Sequence, residues 1–345
     1  MSPRWRKVLR DLWLHKSRTI LVILAISVGI IGAGAVLDTW SLVRTATREE
    51  FGASDPASAT IRVDSIDADL LAAVRGIPEI RLAEARRTVG GSVYTSTGWR
   101  TAIIVASSDF ANSSVGIIKG EEGGWPPKDG SVVIERSSVD YAGVKLGDDT
   151  KLQIGENPPR DLEISGISRD VGLAPGWMEH VVYFFVTPST LASLGAPRTM
   201  DEMKILVADG SLDRDGIRRV ANEAKRVIES TGHTVRDVTV PIPGRHIHAS
   251  QIDSLLYTQG AFGVLALLLS GFLVINLVSA MLAGQVREIG VMKAIGAGPF
   301  QIAAMYMALA LALGVVASGI AIPIAAVIGR LYARFTADLL NFNVS

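Results

Sequence analysis

The residue types from which most active sites are built are thin in this chain. It has no cysteine, which removes thiolate nucleophiles, disulfides and cysteine metal sites together. His246 and His248 stand close together in "RHIH", but two imidazoles without a third ligand nearby read as solvated linker residues rather than a metal centre. No GxxxxGK[ST] loop, G-x-S-x-G or H-E-x-x-H occurs, so the chain neither binds ATP through a P-loop nor carries those hydrolase constellations. Arg86, Arg87 and the "DRDG" cluster read as solvated faces. The stretch "EEGGWPP" from Glu121 reads as an exposed turn with a tucked aromatic, Trp125.

The charged residues that stand out are elsewhere. "QVREIGVMKAIGAGPFQI", residues 285–302, places Arg287, Glu288 and Lys293 between two of the most apolar stretches of the chain. On a helix none of these has an opposite charge three or four residues away, so their spacing offers no local neutralisation and they are expected to serve a partner. Gly296, Gly298 and Pro299 then stop the segment. A turn touching lipid headgroups is the simpler reading of the same residues.

What must position this loop is a membrane domain. The chain is 48% hydrophobic with a mean hydropathy of +0.33, high for a soluble protein. Its formal net charge is zero, so nothing overall points to nucleic acid. Three uncharged apolar runs are long enough to span a bilayer: 20–37, 261–282 and 302–328, the last with Pro323 inside it. Before the first run, residues 1–19 form a basic amphipathic segment with Arg4, Arg6, Lys7, Arg10, Lys16 and Arg18. A signal peptide cleaved near Ala33-Gly34-Ala35 is the rival reading, but the long basic leader and long apolar run favour a retained anchor. The same basic cluster puts the N-terminus in the cytoplasm of a cell membrane. Residues 38–260 are then extracytoplasmic, 283–301 form a cytoplasmic loop, and 329–345 form an extracytoplasmic tail, which Arg330 and Arg334 oppose. Gly29 and Gly314 are expected to let helices approach closely, and Asn276 to hydrogen-bond to a neighbouring helix, because an amide left in lipid is costly.

The long segment alternates strand and helix signals. "SATIRVDS" reads as a strand and "DADLLAAVRGI" as a helix with Asp67 or Asp69 as N-cap and Gly76 as its stop. Strands follow around turns at Gly90-Gly91 and Gly98. "MDEMKILVAD", "DRDGIRRVANEAKRVIEST" and "HTVRDVTVP" form a second strand, helix and strand. The expected fold is a helical membrane domain with an α+β extracytoplasmic domain, a ferredoxin-like layer carrying an inserted, small β-rich subdomain at about 112–200. A helix starting near Ser250 and running on into the second span would form a stalk.

The stretch "NLVSAMLAGQVREIGVMKAIGAGPFQI" resembles the signature of the FtsX/MacB-type permeases, the type VII ABC transporter family, with R-E-I-G-x-x-x-A-x-G-A as its centre. The matching residues are Asn276, Arg287, Glu288, Ile289, Gly290, Lys293, Ala294, Gly296, Ala297 and Gln301. The resemblance implies that the loop is a coupling helix seated on a separate ABC ATPase subunit, which would bind ATP and Mg. It implies no enzyme activity or cofactor in this chain, a homodimer or a pseudo-dimer with a second permease unit, and contact with membrane lipid. The implied function is mechanotransmission for export or extraction of a lipoprotein, lipid, peptide or drug. Regulation of a cell-wall hydrolase and a membrane-anchored receptor are the alternatives. The family has four spans and this sequence reaches three, so a fourth helix either follows in a longer chain or is missing, and Leu309 stands near the place where members often carry a Glu.

Overall fold

The computed structural model describes residues 16–246 and 249–343, and these divide into two units. One holds 16–44 and Gln251–Thr336, the other Thr45–Ser250 and Ala337–Asn343. Much of the basic leader, and His248, lie outside the described residues.

The first unit holds the first part of α1 (Lys16–Ala53), up to Arg44, and, after the sheet segment, most of three helices that follow it in the chain. Among the described residues, three helices are long and apolar enough to cross a membrane. They have 38, 36 and 41 residues. At about 1.5 Å per residue each is about 54 to 62 Å long, well beyond a hydrocarbon core of about 30 Å. The last stays helical through Pro323.

Small residues set the packing in this unit. A Cβ placed on Gly29 would fall inside the van der Waals radii of Ser270 Oγ and Cβ. With no side chain at Gly29, the helices come close enough for Ser270 Oγ to donate to the Ala25 carbonyl at 2.6 Å. Thr39 Oγ1 donates to Gly329 O at 3.1 Å, and Ser27 Oγ to Ala317 O at 3.3 Å. Each hydroxyl thereby finds an acceptor where lipid has none. Val22, Leu309 and Leu313 form the apolar centre.

The second unit is built on a ten-stranded mixed sheet. In chain order its elements are β1 (Ala59–Ile66), α2 (Ala68–Arg75), β2 (Ile80–Thr95), β3 (Gly98–Ser107), β4 (Lys119–Gly123), β5 (Ser131–Glu135) and α3 (Arg136–Ala142). These are followed by β6 (Asp149–Gln153), β7 (Arg160–Arg169), α4 (Gly176–Glu179), β8 (Val182–Val186), α5 (Pro188–Ser193), β9 (Met200–Val207), α6 (Arg214–Ser230) and β10 (Val235–Thr239). The chain then enters α7 (Ala249–Gly284), α8 (Val286–Ala294) and α9 (Pro299–Leu339).

The strand order is β10-β1-β9-β2-β3-β8-β5-β7-β4, with β6 pairing β2 and β7. The β3–β8 and β5–β7 pairs are parallel. Period-two patterning builds the main core: Ala59, Ile61 and Val63 of β1 are fully buried, and Thr60 and Arg62 point the other way. Ile205 joins them beneath α6, and Ile104, Phe184 and Ile134 continue the same core across β3, β8 and β5. Asp67 caps α2 by accepting from Leu70 N at 2.8 Å, and Asp213 caps α6 by accepting from Gly216 N at 2.8 Å. Residues 112–200, expected as a β-rich insertion, supply β4 to β8, and these strands extend the same sheet.

Two local expectations need correction. Gly90 and Gly91 make no turn, because β2 runs straight through them and pairs with β3 from Arg86 to Thr95. Gly91 is instead where a neighbouring backbone approaches: a Cβ there would lie 2.6 Å from Gln153 O of β6. Arg86 is no solvated cation. It is 1% exposed and donates to Ser113 Oγ, Val115 O and Gly116 O, strapping the loop after β3 to the sheet.

If close approach at Gly29 sets the helix packing, Gly29→Val should lower full-chain stability by about 1 to 3 kcal/mol through overpacking. Gly314→Ala, where a Cβ meets no described atom within 4 Å, should be nearly neutral. Thermal unfolding in mild detergent measures both. Equal effects would remove Gly29 from that role.

Candidate functional site

The loop singled out by its charges is a discrete helix. α8 spans Val286–Ala294 and buries none of its residues. Arg287, Glu288, Gly290, Lys293 and Ala294 are exposed, with Ile289 half-buried. Beside these polar groups Val286, Val291, Ile295 and Phe300 are 64%, 58%, 80% and 87% exposed. Exposed apolar side chains of this size, grouped on one short segment with charges of both signs, are what a docking surface presents. Glu288, for which the spacing offers no counter-charge on its own helix, is nevertheless engaged within the structure.

Both ends of α8 are fixed. Gln285, 7% exposed, accepts from Tyr306 Oη at 2.8 Å. At the other end Gly296 takes φ +97°, a conformation that glycine adopts without a Cβ penalty. This lets Ala297 N reach Met292 O at 2.9 Å and Gly296 N reach Lys293 O at 3.0 Å, the paired bonds of a Schellman cap. Pro299 then opens α9, where its missing N–H costs nothing. The spacing of Gly296, Gly298 and Pro299 is thus a cap followed by a helix start.

The sheet unit has its own polar focus, formed by segments far apart in sequence. Arg169, at the end of β7 and 6% exposed, makes a bidentate pair with Glu50 of α1 at 2.7 and 3.1 Å, and lies 3.1 Å from Glu121 of β4. Arg136 of α3 reaches Glu121 at 3.2 Å, Asn341 Oδ1 at 3.0 Å and Asn343 Oδ1 at 3.1 Å. Asn343 N donates to Glu50 at 3.0 Å. Asn341 Nδ2 donates to the buried Glu135 at 2.7 Å. A cavity of about 240 Å³, lined in part by Glu49, Glu50, Lys119 and Arg169, opens beside the cluster.

His246 belongs here, and not to a solvated linker. It is 6% exposed, its Nε2 donates to Val171 O at 2.9 Å, and its ring lies edge-on to Phe51 and Phe342 at 5.1 and 5.8 Å. Trp125 is packed against Phe110 and Phe185 at 5.4 and 6.0 Å, and Glu121 is an ion-pair member rather than part of a free turn. Asn276 lies on the exposed side of α7, and Gly314 faces open space, so among the expected packing residues the close contact is at Gly29. Sequence reading missed Glu50, Glu135, Arg136, Arg169 and Asn341. Single charges on separate strands carry no spacing signal.

The cap of α8 can be tested directly. Gly296→Ala forces a Cβ into the left-handed region and should destabilise the loop by about 1 to 2 kcal/mol. Faster amide exchange at 286–297, with the sheet unit unchanged, is the expected result. Unchanged exchange would show that the cap is dispensable.

Residues 260–345 match the family model described as FtsX-like permease C-terminal. Among solved structures, the extracellular domain of the noncanonic ABC-type transporter YknZ from Gram-positive bacteria is similar at 12% identity with a TM-score of 0.36, over 52% of this chain and 100% of that one. The periplasmic region of MacB from Actinobacillus actinomycetemcomitans is similar at 10% identity with a TM-score of 0.35, over 59% of this chain and 95% of that one. No curated protein matches. The matched residues 260–345 hold most of α7 and all of α8 and α9, and so the capped loop itself.

Proposed function

We propose that the chain is the permease subunit of a mechanotransmitting ABC transporter. In this reading α8 seats on a separate ATPase subunit, which supplies ATP and Mg chemistry, and the sheet unit is an extracytoplasmic domain moved by the membrane helices to export or extract a lipoprotein, lipid, peptide or drug. This chain's part is non-enzymatic. The order β10-β1-β9-β2, with α2 and α6 on one face, is read as the ferredoxin-like layer of such a domain. The outward apolar sides of α7 and α9 would meet lipid or a second permease unit.

The observation that carries the proposal is α8: a capped helix between two span-length helices, with none of its residues buried and its apolar side chains in the open. A simple connector gains nothing from that exposure. A helix that fills a partner's groove requires it.

The test is purification of the full chain from its native host in mild detergent, beside a Gly290→Trp variant. A Cβ at Gly290 meets nothing within 4 Å, so the substitution should leave the fold intact while placing an indole on the docking face. Mass spectrometry should find a protein carrying a P-loop ATPase sequence with the wild type and at least about tenfold less with the variant, the loss expected when a hot-spot contact is blocked. Equal recovery, or no ATPase with either, would sink the coupling reading.

A further inference from the structure

The cavity beside the polar cluster has walls that the fold holds in place. One wall is the end of α1, where Glu49 and Ala53 lie four residues apart on one stripe of the helix and Glu50 lies on the next. A second is the chain entering β4, tied to the first by Ile117 N donating to Ser54 O at 2.8 Å. The third is the end of β7, where Val171 O accepts from His246. Lys119 and Arg169 are direct partners in the antiparallel β4–β7 pair, so their side chains leave the same face of the sheet.

Four charged groups line this space, and only two of them answer each other. Glu50 takes Nη1 and Nη2 of Arg169, while Arg169 Nε is buried without a hydrogen-bond acceptor. Lys119 places a like charge directly across from that guanidinium, and Glu49 stands next to Glu50. Among the described residues neither the Lys119 ammonium nor the Glu49 carboxylate makes a hydrogen bond or an ion pair, and both residues are exposed. Ala53, Ile117 and Val171 supply the apolar part of the lining.

We propose that this cavity binds a small zwitterion, an ammonium joined to a carboxylate or a phosphate, with Glu49 receiving the ammonium and Lys119 the anionic oxygens. The proposal goes beyond the coupling reading and uses no residue of α8.

Charge decides the class of ligand. With Glu50 and Arg169 cancelling, the lining is left with one negative and one positive group. A simple anion would be drawn to Lys119 but repelled by both carboxylates. A simple cation would be drawn to Glu49 but repelled by Lys119 and Arg169. A ligand with both charges answers both free groups and brings no unpaired charge into a partly enclosed space, where it would be costly. Size narrows the choice further. The cavity's 240 Å³ equals the liquid volume of about eight water molecules, below the about 300 to 1,000 Å³ of sites for drug-sized ligands. An amino acid, the end of a peptide or an ethanolamine phosphate headgroup fits that room; a folded polypeptide does not.

Calorimetric titration of the full chain in mild detergent tests two zwitterions, dialanine and glycerophosphoethanolamine, beside ethylamine and glycerol phosphate, which offer charge of one sign only. At least one zwitterion should bind with a sub-millimolar Kd, and each single-sign compound at least about tenfold more weakly, the loss expected when a charged group is left without its partner. Glu49→Gln and Lys119→Gln change exposed side chains outside the ion-pair network, and each should weaken the zwitterion at least about tenfold with thermal unfolding unchanged. Binding of dialanine alone assigns the site to a peptide or amino acid, and binding of glycerophosphoethanolamine alone to a lipid headgroup. Binding of neither at millimolar concentration overturns the proposal. So does a single-sign compound that binds as tightly, or an affinity that either substitution leaves unchanged. The readout needs no ATPase, so it can fail while the coupling reading stands, and the reverse.

Discussion

The structure of the sheet unit depends on where its buried charges find partners. Arg169 is almost wholly out of water, and its guanidinium is tolerable there only because Glu50 takes two of its donors side by side and Glu121 lies against it. Removing one member of such a set leaves an uncompensated buried charge, which costs about 3 to 5 kcal/mol. The end of α1, the edge strand β4, the end of β7 and the residues after α9 are therefore required together. Complementary charge joins these distant segments at this point, beside the packing of Phe51 and Phe342 on His246.

The helical unit obeys a different rule. In lipid there is little hydrophobic gain from bringing one apolar helix against another, so close backbone approach and hydroxyl-to-carbonyl bonds do the selecting. Ser27, Thr39 and Ser270 each donate to a carbonyl on a neighbouring helix, and glycines at 29 and 329 make room. α8 buries none of its residues. Its backbone is capped, and its side chains are left outward.

What could be read in advance follows the same division. Length and apolarity alone mark the three long helices, and the glycine and proline spacing marks the end of α8, because both are local properties. The Asp67 and Gly76 caps of α2 were legible for the same reason. Arg86 misled because a charged residue beside another charged residue looks solvated until the loop at 113–116 is known to fold over it. His246 misled likewise: its neighbours Phe51 and Phe342 come from opposite ends of the chain. The burial of Glu135 has no local signature: beside Ser137, its other hydrogen-bond partner, Asn341, lies more than two hundred positions away.

The sixteen-residue strand β2 pairs with β9 through its first half, with β3 from Arg86 onward, and with β6 near its end. One continuous strand therefore belongs to both the half of the sheet made from the outermost segments and the half made from residues 112–200. Lifting out that second half would strip β3 of its parallel neighbour β8 and uncover Ile104 and Phe184 at once. The segment has the sequence boundaries of a detachable module, but in the folded protein it is masonry bonded into the wall.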